Sequence, residues 1–178
     1  MRAVFADTAY WIASVRPRDQ WREAAVEARR RLGDVEIVTT DEVLTEFLAA
    51  LSKGGVRIRR AAARTVRTML STSAVRVIPQ SRASFERAMD RYEARNDKAY
   101  SLQDCVSMNV MEAESIREIL TNDRHFEQEG FTVLMRRDGA GAERRLYARG
   151  VHAAGSRLSE PDASGAAGAG RWQGHRRP

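Results

Sequence analysis

Five short apolar runs alternate with helix-forming stretches along residues 1–135. The runs are RAVFA, VEIVTT, VRVIP, IREILT and FTVLM, and their length and β-branched content are typical of buried strands. Because a helical stretch separates each run from the next, the pattern predicts an α/β fold. We expect a central, mostly parallel, five-stranded sheet flanked by helices on both faces in a three-layer arrangement.

Several helix ends are marked by residues with capping chemistry. Gly33 follows a helical stretch in the position of a C-terminal cap, and Thr39 and Glu42 have the spacing of a capping box. Ser101 is an expected N-cap, with Asp104 three residues later facing the positive end of its helix. These signals predict helices that begin where the strands end.

The composition changes at Arg136. Residues 1–135 carry a net charge of +1, whereas residues 136–178 carry +5 and are rich in Gly, Ala and Arg without a sustained apolar period. We therefore expect a folded domain over 1–135 and a disordered or weakly structured tail over 136–178. The tail is either an arginine-rich arm that adds phosphate contacts or a solubilising extension.

The remaining composition narrows the cellular setting. A single cysteine, Cys105, excludes an intramolecular disulfide and agrees with a reducing cytoplasm. No apolar run approaches the 18 or so residues that a membrane span needs. A soluble cytoplasmic protein with no membrane contact is the expectation.

Four acidic residues fall where strands end or where the following helices begin. Asp7 follows the first run, Asp123 follows the fourth, Asp104 lies in a first helical turn, and Glu46 lies in the second turn after the second run. Strand carboxyl ends and the following helix N-termini share one rim of a parallel sheet. At about 100° per residue, Glu46 flanks the apolar stripe of its helix, whereas Glu42 points away from the centre of that stripe. Each acid alone is explained as a cap or turn residue, but their joint placement favours a site.

Clustered carboxylates need a positive counter-charge, since two unit charges about 4 Å apart repel by about 4 kcal/mol at an effective dielectric of about 20. The chain has only two lysines, Lys53 and Lys98, to supply it. Oxygen ligands suit Mg²⁺ or Mn²⁺, which activate water and stabilise charge on a phosphodiester. The sequence therefore predicts a Mg²⁺ or Mn²⁺ site for hydrolysis. An aspartyl phosphatase would need a second Asp at position 9, which is Ala9.

Four segments, VFADTAYWIA, TTDEVLTEFL, YSLQDCVSMNVME and ILTNDRHFEQEGFTVL, resemble in order and spacing the PIN-domain family, and in particular its VapC-like toxin branch. The resemblance covers about residues 1–135. It implies a PIN-like fold and a Mg²⁺- or Mn²⁺-dependent endoribonuclease that hydrolyses RNA phosphodiesters. It also implies the toxin of a type II toxin–antitoxin pair, with a cognate antitoxin protein as partner and a homodimer as the assembly.

The resemblance assigns roles residue by residue. It makes the acids of four motifs catalytic and metal-binding, and three hydroxyl residues supporting. The acids are Asp7, Glu46, Asp104 and Asp123, and the hydroxyl residues are Thr8, Ser101 and Thr121. Asn122 departs from the family pattern, which commonly has an apolar or aromatic residue there. His125 could serve as a general base, but metal-activated water needs none. A histidine two positions after Asp123 is interpreted as a surface residue.

A catalytically silent PIN-like module that binds RNA or another protein is the alternative function. Retention of all four acids argues against it, because a binding module gains little from clustered negative charge facing RNA.

Overall fold

The structure is a computed structural model that describes residues 2–137. Its centre is a five-stranded sheet in which every neighbouring pair of strands is parallel. The strands are β1 (Ala3–Ala6), β2 (Glu36–Thr40), β3 (Val75–Ile78), β4 (Glu118–Leu120) and β5 (Thr132–Val133). The predicted α/β architecture with five strands is confirmed, and the sheet is wholly parallel.

The strand order is β3-β2-β1-β4-β5. The chain therefore winds outward from β1 in one direction and then returns to continue outward on the other side of β1. In sheets of this kind, ligands bind in the crevice beyond the strand carboxyl ends where the strand order reverses. Here that reversal lies between β1 and β4, the strands that precede Asp7 and Thr121.

Seven helices connect and flank these strands in the described residues 2–137. They are α1 (Thr8–Val15), α2 (Arg22–Leu32), α3 (Asp41–Ala50), α4 (Gly55–Ser71), α5 (Arg82–Ala94), α6 (Leu102–Ala113) and α7 (His125–Gln128). Gly33 ends α2 with a φ of 65°, a backbone conformation that glycine adopts without steric cost. None of these helices is long and apolar enough to cross a membrane.

The core lies between the sheet and the helices. Its largest fully buried side chains include Phe5 of β1, Phe47 of α3, Met108 of α6 and Phe126 of α7. Strands β1, β2 and β4 are buried over most of their length, as expected for a parallel sheet with covered faces. This packing fixes the strand ends, and therefore the rim that they form.

One local expectation, the cap of α3, needs correction. The N-cap of α3 is Thr40, whose side chain accepts a hydrogen bond from the Val43 amide, so the capping box at Thr39 and Glu42 is wrong. The Thr39 hydroxyl instead donates to the Ala6 carbonyl at 2.8 Å, because β2 continues through Thr40 beside β1.

The predicted tail lies almost wholly outside the described residues. Of its residues, Arg136 and Arg137 are described, and both contact the domain. Arg136 pairs with Glu127 at 2.7 Å, and the Arg137 guanidinium lies 4.7 Å from the centre of the Trp21 ring. The boundary at residue 135 and the state of the tail stay predictions.

Candidate active site

The register of β1 and β4 brings two predicted site residues together. Ala6 pairs with Leu120, and the Asp7 amide donates to the Leu120 carbonyl at 3.2 Å, so Asp7 and Thr121 emerge side by side at the strand ends. The buried Thr121 hydroxyl donates to Asp7 Oδ2 at 2.8 Å. Thr121 therefore holds the carboxylate of the first acid from the neighbouring strand.

Glu46 is held by the first residue of α1. The Thr8 hydroxyl donates to Glu46 Oε2 at 2.6 Å and lies 3.4 Å from the Val43 carbonyl oxygen. Thr8 is buried and directly follows Asp7, while Glu46 lies one helical turn beyond Glu42 in α3. The contact fixes the α3 acid beside the residue that follows β1.

Asp104 forms a capping box with Ser101 at the start of α6. Its Oδ2 accepts from the Ser101 amide at 2.8 Å and from the Ser101 hydroxyl at 2.8 Å, and its own amide donates to Ser101 Oγ at 3.1 Å. The predicted N-cap is confirmed. The same bonds fix the direction of the Asp104 carboxylate, because the capping residue and the acid restrain each other.

Asp123 is oriented by the turn that follows β4. The His125 amide donates to Asp123 Oδ1 at 2.8 Å, and the Asp123 amide donates to the Thr121 hydroxyl at 3.2 Å. The His125 Nδ1 lies 3.3 Å from Asp123 Oδ1. One hydroxyl, that of Thr121, therefore touches both Asp7 and Asp123.

Electrostatics link these carboxylates into one acidic rim, a name used below for Asp7, Glu46, Asp104 and Asp123. Burial raises the pKa of Asp7 to about 6; hydrogen bonds from Thr121 and the Thr8 backbone oppose this shift, and the charges of Asp104 and Glu46 add to it. Burial likewise raises the pKa of Asp104, opposed by Ser101 and reinforced by Asp123. The acids that the sequence predicted to converge therefore influence one another.

The donor set of the rim is all oxygen, which matches the preference of Mg²⁺ and Mn²⁺. Among residues 2–137, no three His, Cys, Asp or Glu side chains take a metal-binding arrangement. Each rim acid is held instead by its own nearby donor, as described above. Burial raises the pKa of Asp7, and the nearby charges of Asp104 and Glu46 add to the shift; a divalent cation would offset this buried negative charge, so the residues fit such an ion chemically.

Two further residues lie near the rim. His125, interpreted as a surface residue, is half-buried against Asp123, and its ring centre lies 5.7 Å from that of Tyr100. Glu42 Oε1 is buried and has no hydrogen-bond partner within the described part of the chain. The hydrogen bond from the His125 amide to Asp123 could have been expected from the sequence, because an Asp side chain commonly accepts from the backbone amide two residues later.

This geometry, in which acids flank the switch point of a parallel sheet, defines a class of α/β protein with a carboxylate site. The PIN domain family model matches residues 4–132, which is more than half of the chain. The chain therefore belongs to the PIN domain family.

Comparison with solved structures agrees on the fold. The chain is similar to the crystal structure of VapC20 from Mycobacterium tuberculosis, described as a sarcin-ricin loop cleaving toxin. The TM-score is 0.65 and the sequence identity 24%, and the match covers 72% of this chain and 96% of that one. At this identity the likeness bears on the fold alone. In a comparison with curated proteins, no sequence matches this chain.

Proposed function

We propose that the protein is a metal-dependent endoribonuclease that hydrolyses RNA phosphodiesters and acts as the toxin of a type II toxin–antitoxin pair. Membership of the PIN domain family supports this function, as does the similar fold of a toxin that cleaves an RNA loop. The observation that carries the proposal is the acidic rim, in which burial, reinforced by the charges of Asp104 and Glu46, raises the pKa of Asp7 to about 6.

The rim acids have one shared task in this proposal. Asp7, Glu46, Asp104 and Asp123 would hold Mg²⁺ or Mn²⁺, which when bound lowers the pKa of a water molecule and offsets charge on the phosphodiester. The chain's own contribution is to place the acids. Thr121 orients Asp7 and the Asp123 backbone, Thr8 orients Glu46, and Ser101 orients Asp104.

Placement matters because a hydroxyl donor stabilises the ionised form of a carboxylate. At neutral pH an Asp7 with a pKa of about 6 is mostly ionised, and the hydrogen bond from Thr121 keeps that pKa from rising further. A more strongly raised pKa would leave a larger protonated fraction that binds cations poorly. The buried hydroxyls of Thr8 and Thr121 are therefore expected to support activity without contacting the RNA.

A cleavage assay tests the proposal. Wild-type protein is incubated with total RNA in Mg²⁺, in Mn²⁺ and in EDTA, beside Asp7→Asn and the control Asp90→Asn, an exposed acid of α5. Cleavage is expected in either metal, with a loss of at least about 100-fold in EDTA and in Asp7→Asn, the usual scale for removing one preorganised charge. Asp90→Asn should cleave like wild type. Cleavage that survives EDTA and the Asp7 substitution would reject the metal mechanism.

A catalytically silent module that binds RNA or protein is the second candidate. It predicts RNA binding without cleavage under every metal condition of the same assay. The toxin proposal carries three further expectations: a cognate antitoxin protein as partner, a homodimer and a cytoplasmic location.

A further inference from the structure

Helix α4 has a composition unlike that of the rest of the domain. It carries five arginines and no acidic residue over Gly55–Ser71. Without these arginines, the charge of residues 1–135 would be −4 instead of +1. Helix α4 therefore carries a net charge of +5, whereas the rest of residues 1–135 carries a net charge of −4.

Four of the arginines form one stripe, here called the arginine face: Arg57, Arg60, Arg64 and Arg67. At about 100° per residue they fall within a sector of about 80°. The buried positions of α4, Ala62 and Met69, lie on the opposite side of the helix. The arginine face therefore points to solvent, and all four of its residues are exposed.

No carboxylate in the described part of the chain neutralises the arginine face. Within residues 2–137, none of its four guanidinium groups is in an ion pair with a carboxylate. Helix α2 differs, because Glu27 pairs there with Arg30 at 2.8 Å and with Arg31 at 2.7 Å. An exposed row of unpaired guanidinium groups is available to an external anion.

We propose that the arginine face binds the phosphate backbone of the RNA substrate. This inference rests on the proposed function, which names RNA as the substrate, and it adds the surface on which the RNA is bound. The guanidinium fork matches phosphate oxygens in a bidentate way, which a lysine cannot do. From Arg57 to Arg67 the stripe spans about 15 Å, the length of about four phosphates at about 3.4 Å each along one strand of a duplex.

The position of α4 links this surface to the rim. α4 packs against α1 and α3, the helices that carry Thr8 and Glu46. Backbone contacts here carry no sequence information and serve to hold and orient the strand. The arginine face supplies affinity, and the rim supplies chemistry.

An acidic segment of a protein partner is the competing occupant. An open groove of about 650 Å³ lies between α1 and α4, with a mostly apolar lining that includes Trp11 and Met69. Of the arginine face, only Arg64 borders this groove. The other three arginines lie outside it, which favours a backbone laid along the stripe over a segment inserted into the groove.

The test measures RNA binding in EDTA, so that it does not depend on cleavage. Fluorescence anisotropy follows a fluorescein-labelled, mixed-sequence, single-stranded RNA with the full chain at several salt concentrations. The variants are Arg60→Gln/Arg64→Gln and all four arginines to Gln, with Arg30→Gln/Arg31→Gln as the control of equal charge loss. Gln keeps the helix, since its helix propensity is close to that of Arg, and circular dichroism checks the fold.

The four-fold variant should bind at least about tenfold more weakly at about 0.1 M salt, with a salt slope lower by about 2.8, at about 0.7 per phosphate contact. The double variant should lose about half of that slope, and the control much less. Equal losses in the double variant and the control would show a general charge effect and overturn the proposal. Unchanged RNA binding by the four-fold variant would also overturn the proposal. That is the result expected if the arginine face receives an acidic protein segment instead of RNA.

Discussion

The acidic rim and the arginine face carry opposite charges, and they differ in burial and in hydrogen bonding. On the rim, the structure gives each carboxylate a hydrogen-bond donor from a nearby hydroxyl or amide, and Asp7 and Thr121 are buried. On α4, the guanidinium groups are exposed and form no ion pairs within residues 2–137. The proposed roles predict this difference, because charges that act on reacting atoms need a fixed position, whereas charges that attract a polymer do not.

The costs of the two arrangements also differ. Burial, reinforced by neighbouring acids, raises the pKa of Asp7 and of Asp104 and therefore destabilises the folded state at neutral pH. Exposed arginines stay hydrated, so the arginine face costs little. The rim is expected to govern turnover and metal-free stability, and the arginine face to govern affinity and salt dependence.

The largest expected effect is on turnover at the rim. Glu46→Gln should reduce kcat for RNA cleavage by at least about 100-fold, because it removes one fixed charge from the site. RNA affinity in EDTA should stay within about twofold, since this residue is not a phosphate-binding group. Steady-state cleavage and anisotropy measure the two quantities, with exposed Glu86→Gln of α5 as the control. Full turnover in Glu46→Gln would remove this acid from the site.

The next effect separates binding from chemistry. Replacing all four arginines of the arginine face by Gln should raise KM about tenfold at about 0.1 M salt, while kcat changes by less than about twofold. Cleavage rates over a range of RNA concentrations give the two constants. A fall in kcat with unchanged KM would instead place this face in the catalytic machinery and break the division between the two regions.

A third effect concerns stability and pH. The pKa of Asp7 is raised from its ordinary 3.8 to about 6, so the folded state binds this proton more tightly than the unfolded state. The associated stability is fully present below about pH 4 and is lost as the pH rises through about 6. Without metal at pH 8, Asp7→Asn should therefore be more stable than wild type by about 1–3 kcal/mol.

Urea denaturation in EDTA between pH 4 and pH 8 measures this difference. The gap between Asp7→Asn and wild type should narrow toward pH 4, because Asp7 is then protonated in the folded state and begins to be protonated in the unfolded state. Asp90→Asn, which changes an exposed acid, should show no such pH dependence. A stability difference between the two proteins that does not change with pH would mean that the pKa of Asp7 is not raised in the folded state.

The smallest effect is expected at the hydroxyl that joins two acids. Thr121→Val keeps the shape but removes the donor to Asp7 Oδ2 and the acceptor of the Asp123 amide. Stability should fall by about 1–2 kcal/mol, the usual result of leaving a buried partner unsatisfied. Thermal denaturation measures it, with exposed Thr132→Val as the control. Equal stability of the two variants would mean that the bridge contributes nothing.

Much of the fold followed from the alternation of apolar runs and helical stretches. The runs became five parallel strands because each was short and apolar and a helix separates each strand from the next. The strand order could not be derived from the pattern alone, since pairing depends on contacts between distant segments. That order is what sets Asp7 beside Thr121 across 114 residues of sequence.

The candidate site residues could be chosen from the sequence, but the contacts that they make could not be predicted from it. Helical periodicity separated Glu46 from Glu42, and the structure joins Glu46 to the Thr8 hydroxyl. The same reasoning misplaced the α3 cap at Thr39, because strand and cap residues are both threonine there and only pairing with β1 distinguishes them. The arginine face was present in the sequence, but only the burial of Ala62 and Met69 shows which side of α4 faces solvent.

Direct binding of Mn²⁺ to the rim is the most decisive measurement. Electron paramagnetic resonance of free Mn²⁺ is followed during titration of wild type, Asp7→Asn and Asp90→Asn at pH 7.5. Wild type and Asp90→Asn should deplete the free signal equally, while Asp7→Asn should bind at least about tenfold more weakly, as expected for loss of a ligand or its close support. Equal Mn²⁺ binding by Asp7→Asn and wild type would contradict the assignment of the acidic rim as a metal site.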